Sequence, residues 1–277
     1  MGKRTLHGWV NKPLLNLSAI QERLDLVDFF FQNGVLRYEV NSILAGFHDL
    51  ERLVNRVSTH AVRPPELIAL REDLQRLPAL KAILPKDAPQ LEPFKGSFDS
   101  FEELADLLEQ AITEDPPATT AAIGIIKPGF STELDAILGA SRHAREWIAN
   151  LEGLERARTG IKTLRVGYNK VFGYYIEISR GNAANAPDNY IRKQTLVNSE
   201  RFSTPELKEY ESLVLNAEAE IHEAELKAYR SVCESINAHA SQLLAAARAL
   251  GRLDAIVSLA TVAALNGYVR PEVRAEK

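Results

Sequence analysis

The 277-residue chain has little of several features that would place it in common functional classes. Its single cysteine, Cys233, excludes an internal disulfide, and a reducing cytosol is the expected compartment. No run of 18 apolar residues occurs, and residues 1–16 lack the apolar core of a signal peptide, so neither a membrane span nor secretion is expected. The net charge of −4 gives no overall basic signal, so any nucleic-acid surface must be local.

Residues in the spacings of known catalytic or metal sites are also missing from the sequence. The six histidines form no H-x-x-x-H pair, and one cysteine cannot build a zinc site, so no metal ligands and no cofactor are expected. Residues 124–131 have the glycine spacing of a P-loop, but Phe130 stands where the phosphate-binding lysine belongs and Pro128 lacks an N–H donor. A turn ahead of a capped helix is the favoured interpretation, and no catalytic residue is predicted.

Helical periodicity dominates what is present. Ser131 or Thr132 is expected to begin a long helix that ends near residue 158. Thr204 is expected to cap another, because Pro205 then occupies the first helical position, where its missing N–H costs nothing. No glycine or further proline follows until Gly251, so this helix is predicted to run to about residue 249. Pro78 is expected to interrupt an earlier helix.

Between these two helices, residues 162–203 carry the alternation of a small sheet. Phe172, Tyr174, Ile176 and Ile178 fall on one face, and Tyr175, Glu177 and Ser179 fall on the other. The sequence predicts three strands, at 164–168, 172–178 and 190–198, with a loop at 181–189. It therefore predicts a mainly α fold, in which a helical body carries two long antiparallel helices with a small β-sheet inserted at their tip. The expected parts are 1–161, the inserted sheet at 162–203, and 204–277.

Charge is segregated onto the predicted sheet. Residues 162–203 contain seven basic and three acidic residues, a net charge of +4 that leaves −8 for the rest of the chain. Basic groups beside asparagines and tyrosines suit contacts to phosphate and sugar. A solvated, slightly basic hairpin is the alternative, and charge alone does not separate the two.

Several long motifs resemble the MutS family of DNA mismatch-recognition ATPases. The segments "LRVGYNKVFGYYIEISRGN" and "APDNYIRKQTLVNSERFSTPELKEYE" resemble that family's clamp. The opening "MGKRTLHGWVNKPLLN" is similar to the start of its core domain, and "LDAIVSLATVAALNGYVRPEV" to the stretch leading into its ATPase domain. The resemblance covers essentially the whole chain. It implies that the two long helices are levers and that the inserted sheet is a clamp.

The resemblance also implies a function. The clamp would touch double-stranded DNA without regard to sequence, and the levers would carry ATP-state changes to it. The mismatch-reading and ATPase domains of the family have no counterpart here, so this part of the protein is expected to be no enzyme and to need no cofactor. The full-length protein is expected to be a dimer in the bacterial cytoplasm, associated with the nucleoid and with other mismatch repair proteins.

Matching the clamp residue by residue gives two candidate contacts to the DNA backbone, Asn169 and Asn198. Local charge adds four more, which are Lys170, Arg180, Arg192 and Lys193. Arg201 is expected to pair with Glu200 or Glu206, and Tyr174 and Tyr175 are expected to pack the sheet rather than stack on bases. The alternative function is a structural scaffold of a MutS-like paralogue whose tip binds a protein partner.

Overall fold

A computed structural model describes residues 1–98 and 101–274 of the chain. Helices dominate it, and the strands form one small antiparallel sheet, which confirms the predicted mainly α class with a β insertion. The α-helices are α1 (Gly2–Asn11), α2 (Leu17–Gln32), α3 (Gly34–Leu44), α4 (Leu50–Ser58), α5 (Pro64–Ile83), α6 (Glu92–Ser97), α7 (Glu102–Ala111), α8 (Thr132–Thr159), α9 (Pro205–Asn237) and α10 (Ala240–Asn266). The strands are β1 (Arg165–Asn169), β2 (Gly173–Ser179), β3 (Ile191–Thr195) and β4 (Ser199–Ser203), and 3-10 turns occupy Pro89–Leu91 and Arg180–Asn185.

The predicted starts of the two long helices are confirmed by their caps. The Ser131 hydroxyl accepts a hydrogen bond from the Leu134 backbone N–H at 3.3 Å, at the start of α8. The Thr204 hydroxyl does the same for the Leu207 N–H at 3.0 Å, at the start of α9. These side chains satisfy backbone donors that the first turn of a helix leaves unpaired.

Two expectations about helix ends are wrong. Helix α5 continues through Pro78, because the leucines on both sides of the proline, Leu77 and Leu80, are buried and hold the helix in the core. Helix α9 ends at Asn237 instead of near residue 249, and α10 begins at Ala240. No proline or glycine marks this break in the sequence. Ten residues of α10 between Leu243 and Ala260 are buried, while Val262 and Leu265 near its end are exposed, and it is this buried face rather than a local signal that distinguishes α10 from α9.

The chain divides into two compact units, described here separately. Unit 1 comprises Met1–Lys127 and Ala228–Lys277, and α10 packs in it against α1, α2, α3, α4 and α6. Gly251 allows α1 to approach α10 closely, because a Cβ atom at that position would lie 2.7 Å from the Thr5 hydroxyl oxygen. Helix α10 is therefore the central element of this unit.

Unit 2, Pro128–Lys227, contains α8, the sheet and the first part of α9. The two helices run antiparallel: Trp147 stacks on Tyr210 at 4.2 Å, while Lys227 pairs with Glu133 near the other end. The sheet and helices share one apolar core, made of Ile148, Leu151, Ile161, Leu164, Ile176, Ile178, Tyr190, Phe202 and Leu207. The division at residues 162 and 203 stays a prediction.

The sheet has the order β1-β2-β4-β3, with antiparallel neighbours. The sequence predicted the first three strands but missed β4, whose residues 199–203 are mostly polar. The predicted third strand, at 190–198, is longer than the observed β3, Ile191–Thr195. Its register shifts between Arg192 and Gln194, and the chain turns after Thr195 to enter β4. Within the predicted loop, residues 180–185 form a 3-10 turn.

Candidate nucleic-acid interface

The two faces of the inserted sheet, β1–β4, differ in character. Tyr174, Ile176 and Ile178 point into the shared core, as the alternation predicted, and Val166 and Phe202 lie beside Ile176 on the neighbouring strands. Phe172, predicted on the same face, instead lies in the turn before β2 and is 46% exposed. The opposite face is polar. Across the four strands it carries a row made of Arg165, Glu177, Arg201 and Gln194. One face therefore holds the sheet to the helices and leaves the other for contacts outside the core.

The turn between β1 and β2 carries the first pair of predicted site residues. The Asn169 side-chain oxygen accepts hydrogen bonds from the backbone N–H groups of Val171 (2.8 Å) and Phe172 (3.4 Å). Asn169 thus shapes the turn, and this leaves its amide N–H₂ group to donate elsewhere. Lys170 is exposed beside it and forms no ion pair with any described residue.

Gly173 closes this turn against helix α9. Its φ of 76° lies in the left-handed region that favours glycine, and a Cβ atom there would overlap the Glu211 carboxylate. Glu211 is 6% exposed, and its Oε2 lies 3.1 Å from the Lys208 ammonium. A buried carboxylate on α9 therefore fixes the position of the turn that carries Asn169 and Lys170.

The other end of β2 brings together a second pair of predicted residues. The Arg180 backbone N–H donates to the Asn198 carbonyl oxygen at 3.0 Å, and both side chains are exposed. Gly173 and Ser179 mark the two ends of β2, so the second pair lies roughly 20 Å from the first, at about 3.3 Å per residue. These four predicted residues therefore form two groups, one at each end of β2.

The two remaining predicted residues, Arg192 and Lys193, lie on the edge strand β3 and differ in whether their charge is already paired. The Arg192 Nε lies 2.9 Å from the Glu200 Oε2, and Glu200 is 7% exposed, so this guanidinium already neutralises a buried carboxylate. Lys193 sits at the register shift, is exposed, and has no ion-pair partner in the described chain. Lys193 is thus the freer of the two charges.

Arg201 corrects an expectation. It pairs with Glu177 at 2.9 Å and donates to Gln194 at 3.1 Å, rather than pairing with Glu200 or Glu206. The register explains this, because Arg201 lies directly opposite Glu177 while Glu200 points to the other face. The Arg201 guanidinium also lies 4.1 Å from the centre of the Tyr175 ring. Tyr175 therefore packs on the polar face, and Tyr174 packs against the core.

The residue that precedes β3, Tyr190, is hydrogen-bonded to helix α8. The Tyr190 hydroxyl donates to Glu155, which also pairs with Arg158 at 2.6 Å. Burial, and then the bond to Glu155, raise the pKa of Tyr190, so its hydroxyl keeps its proton. Burial alone would raise the pKa of Glu155, but the hydrogen bonds from Arg158 and Tyr190 outweigh it and lower the pKa. Glu155 is thus held as a charged acceptor.

Five cations of the inserted sheet and its flanks are exposed and form no ion pair with the described residues. Three were predicted as site residues from charge, and two were counted in the net charge without being assigned to the site. The five are Lys162, Arg165, Lys170, Arg180 and Lys193. Arg165 can be assigned to the site only from the strand register, which places it on the edge strand β1, at one end of the polar row and opposite Glu177. We call these five residues the cationic set.

Neither a metal site nor a membrane span is supported by residues 1–98 and 101–274. No three His, Cys, Asp or Glu side chains there are grouped so that they could hold a metal ion. No helix in the same ranges is both long enough and apolar enough to cross a bilayer.

Comparison with known proteins gives a family match along most of the chain. The family description "MutS domain III" matches residues 1–260. Among curated relatives, "DNA mismatch repair protein MutS" of Methanosarcina mazei is 42% identical over 279 residues, covering 99% of this chain and 31% of the relative. The protein of that name from Dehalococcoides mccartyi strain 195 is 42% identical over 279 residues, covering 100% and 32%. That from Desulforamulus reducens is 42% identical over 274 residues, covering 99% and 32%. The chain thus spans about a third of the length of the curated relatives it matches.

Proposed function

Because the chain belongs to the MutS family, we propose that its inserted sheet binds the sugar-phosphate backbone of duplex DNA without reading its sequence. The observation that carries this proposal is the cationic set. Each of its five members is exposed, and none is neutralised by a carboxylate of the described residues. Exposed guanidinium and ammonium groups are the usual donors to phosphate, and such contacts position a protein without specifying a sequence.

The arrangement of these groups favours a contact along the strands. Lys170 and Arg180 flank the two ends of β2, roughly 20 Å apart by strand rise. A duplex carries one negative charge per about 1.7 Å of its axis, so a span of this length faces many phosphates. Asn169 and Asn198 lie beside these cations and would add neutral hydrogen bonds to the same backbone.

The first part of α9 is excluded from the proposed contact by its charge. Seven glutamates lie between residues 206 and 225, with Lys208 as the one Lys or Arg in that range. Five of the seven are exposed, whereas Glu211 and Glu225 are buried. Such a surface repels phosphates and confines binding to the sheet. The helices would then carry a mechanical signal, since α8 and α9 share the core of the sheet through Ile148, Leu151 and Leu207.

The role of the whole protein extends this proposal. The family match covers domain III, and we infer that the activity of the full-length protein is ATP-dependent mismatch repair on DNA. The part described here would transmit ATP-state changes to the DNA contact and would neither hydrolyse ATP nor require a cofactor. The full-length protein would act as a dimer with other repair proteins on the bacterial nucleoid.

The test is a titration of a fluorescein-labelled duplex followed by anisotropy. The variant Lys170→Ala, Arg180→Ala, Lys193→Ala removes three members of the cationic set. A matched control, Lys3→Ala, Lys12→Ala, Lys86→Ala, removes three exposed and unpaired cations from unit 1. The first variant should weaken binding at least tenfold for every duplex, matched or mismatched, while the control should bind within twofold of the parent. Equal losses in both variants would refute an assignment to the sheet.

A protein partner for the sheet is the second candidate, and one observation favours it. Val171 and Val197, in the two turns of the sheet, are 81% and 82% exposed, and Phe172 is 46% exposed. Exposed apolar side chains in a turn are available to a protein partner, although such residues are also common singly on protein surfaces. Under this alternative, Val171→Ser with Val197→Ser would leave DNA affinity unchanged, and the cationic variant would bind DNA like the parent.

A further inference from the structure

A cavity of about 590 Å³ opens in unit 1, where α1 approaches α10 at Gly251, and none of the cationic set lines it. Its walls come from α1, the α1–α2 connection, α2, α4 and α10. Four arginines contribute to these walls, which are Arg4, Arg23, Arg248 and Arg252, together with the Trp9 ring and two carboxylates, Glu22 and Glu51. The volume falls within the roughly 300–1,000 Å³ that small-molecule sites usually occupy.

The charges around this cavity are not balanced. Arg4 forms ion pairs with both Asp49 and Glu51, so the Glu51 carboxylate is already neutralised. Arg23, Arg248 and Arg252 form no ion pair within 4.0 Å in the described parts of the chain. Glu22 is the remaining carboxylate of the lining, and it is exposed to solvent. The lining therefore has an excess of guanidinium groups.

Two of these guanidiniums lie over aromatic rings. The Arg23 guanidinium carbon lies 3.7 Å from the centre of the Trp9 ring, and that of Arg252 lies 5.5 Å from the centre of Phe94. Burial and, after it, repulsion from Arg252 lower the pKa of Arg23. Two like charges that line one cavity, neither of them paired with a described carboxylate, would be stabilised by an anion.

We propose that this cavity binds a phosphate-type anion, held by Arg23 and Arg252 with Arg248 at its rim. Guanidinium groups present planar, paired N–H donors that match the oxygen atoms of phosphate, and stacking on an aromatic ring leaves those donors free at the edge. The cavity suits a group of the size of a di- or triphosphate. The phosphate could be free in solution or belong to a nucleic-acid strand.

Trp9 provides a direct readout for the proposal. The chain has two tryptophans, so Trp147→Phe leaves Trp9 as the single reporter, in contact with one of the proposed ligand-binding arginines. We expect inorganic pyrophosphate to change the Trp9 emission saturably. In the same background, Arg23→Gln and Arg252→Gln should each raise the apparent Kd at least about tenfold, the loss expected for a charged hydrogen bond. Arg142→Gln, an exposed arginine of unit 2, should leave it unchanged.

Three controls keep the proposal falsifiable. Circular dichroism melts must show that the variants fold, and phosphorus NMR line broadening of pyrophosphate gives a second readout that does not use Trp9. Succinate at equal concentration tests whether the site prefers phosphate, and an equal response to succinate would overturn that assignment. No saturable change with pyrophosphate by either readout would overturn the site itself.

A duplex arm identifies the source of the phosphate. If a 20-base-pair duplex displaces pyrophosphate from the parent protein, and Arg23→Gln abolishes this competition by the duplex, the anion is a nucleic-acid phosphate. If pyrophosphate stays bound in the presence of the duplex, the anion is a free phosphate compound. The site is independent of the inserted sheet, because Lys170, Arg180 and Lys193 are not among its residues, so either proposal can fail alone.

Discussion

Replacing Gly173 by alanine perturbs the proposed DNA contact without removing a charge from it. Gly173 has φ of 76°, lies at the end of the β1–β2 turn, and has no room for a Cβ beside the Glu211 carboxylate. An alanine must therefore adopt a disfavoured backbone conformation and displace a buried side chain. Both effects act on the turn that presents Asn169 and Lys170.

The expected cost follows from these two effects. A left-handed conformation costs an L-residue about 1–2 kcal/mol. Making room for the Cβ must displace the Glu211 carboxylate, which is 6% exposed and lies 3.1 Å from the Lys208 ammonium, and overpacking of this kind costs about 1–3 kcal/mol. Gly173→Ala should therefore lower the free energy of unfolding of unit 2 by about 2–5 kcal/mol. At about 4–8 °C per kcal/mol, its Tm should fall by more than about 8 °C.

Urea unfolding followed by Trp147 fluorescence measures this effect, because Trp147 belongs to unit 2 and Trp9→Phe removes the other tryptophan. Gly181→Ala is the matched control, since a Cβ atom there meets nothing within 4 Å and its φ is not positive. It should change stability by less than about 0.5 kcal/mol. Adding Glu211→Ala to Gly173→Ala should recover the overlap cost but not the backbone cost. A Gly173→Ala variant as stable as the Gly181→Ala control would refute the reasoning.

Three further predictions concern buried groups. Burial raises the pKa of the Asp73 carboxyl above its ordinary value of 3.8. The stability that this group contributes is therefore fully present below pH 3.8 and is lost as the pH rises through the raised pKa. Asp73→Asn should remove this part of the pH dependence of the Tm, from about pH 4 upward. Burial raises the pKa of the Cys233 thiol to about 11, and the residue is 5% exposed. A thiol reagent at about pH 8 should therefore label the native protein far more slowly than the protein unfolded in urea, and equal labelling rates would contradict the burial of Cys233. Thr204→Ala removes the N-cap of α9 and should lower the free energy of unfolding of unit 2 by about 1 kcal/mol. The unfolding transition of Trp147 measures this, and no change would show that the 3.0 Å hydrogen bond to the Leu207 N–H contributes nothing to stability.

Local signals in the sequence predicted the parts of the fold that local interactions determine. Ser131 and Thr204 cap helices because their hydroxyls reach backbone donors three residues ahead, and such a signal needs no tertiary context. Strand β2 was found because Tyr174, Ile176 and Ile178 pack on the core at a period of two. The break between α9 and α10 had no such signal, since it follows from how α10 packs in unit 1.

The candidate interface was predictable in composition but not in arrangement. Net charge marked residues 162–203 as basic, yet it could not show that Arg192 is engaged with Glu200 while Lys193 is free. That difference depends on strand β4, whose polar residues carry no apolar alternation. The register also placed Arg201 opposite Glu177, which sequence separation alone did not suggest.

The salt dependence of DNA affinity tests the central claim most directly. Each phosphate contact contributes about 0.9 to the slope of log Kd against log salt concentration for duplex DNA. If Lys170, Arg180 and Lys193 each contact a phosphate, replacing all three by alanine should flatten the slope by about 2.7, measured between about 50 and 200 mM salt. The matched variant of Lys3, Lys12 and Lys86 should keep the parental slope. A cationic-set variant with an unchanged slope would contradict the assignment of DNA binding to the inserted sheet.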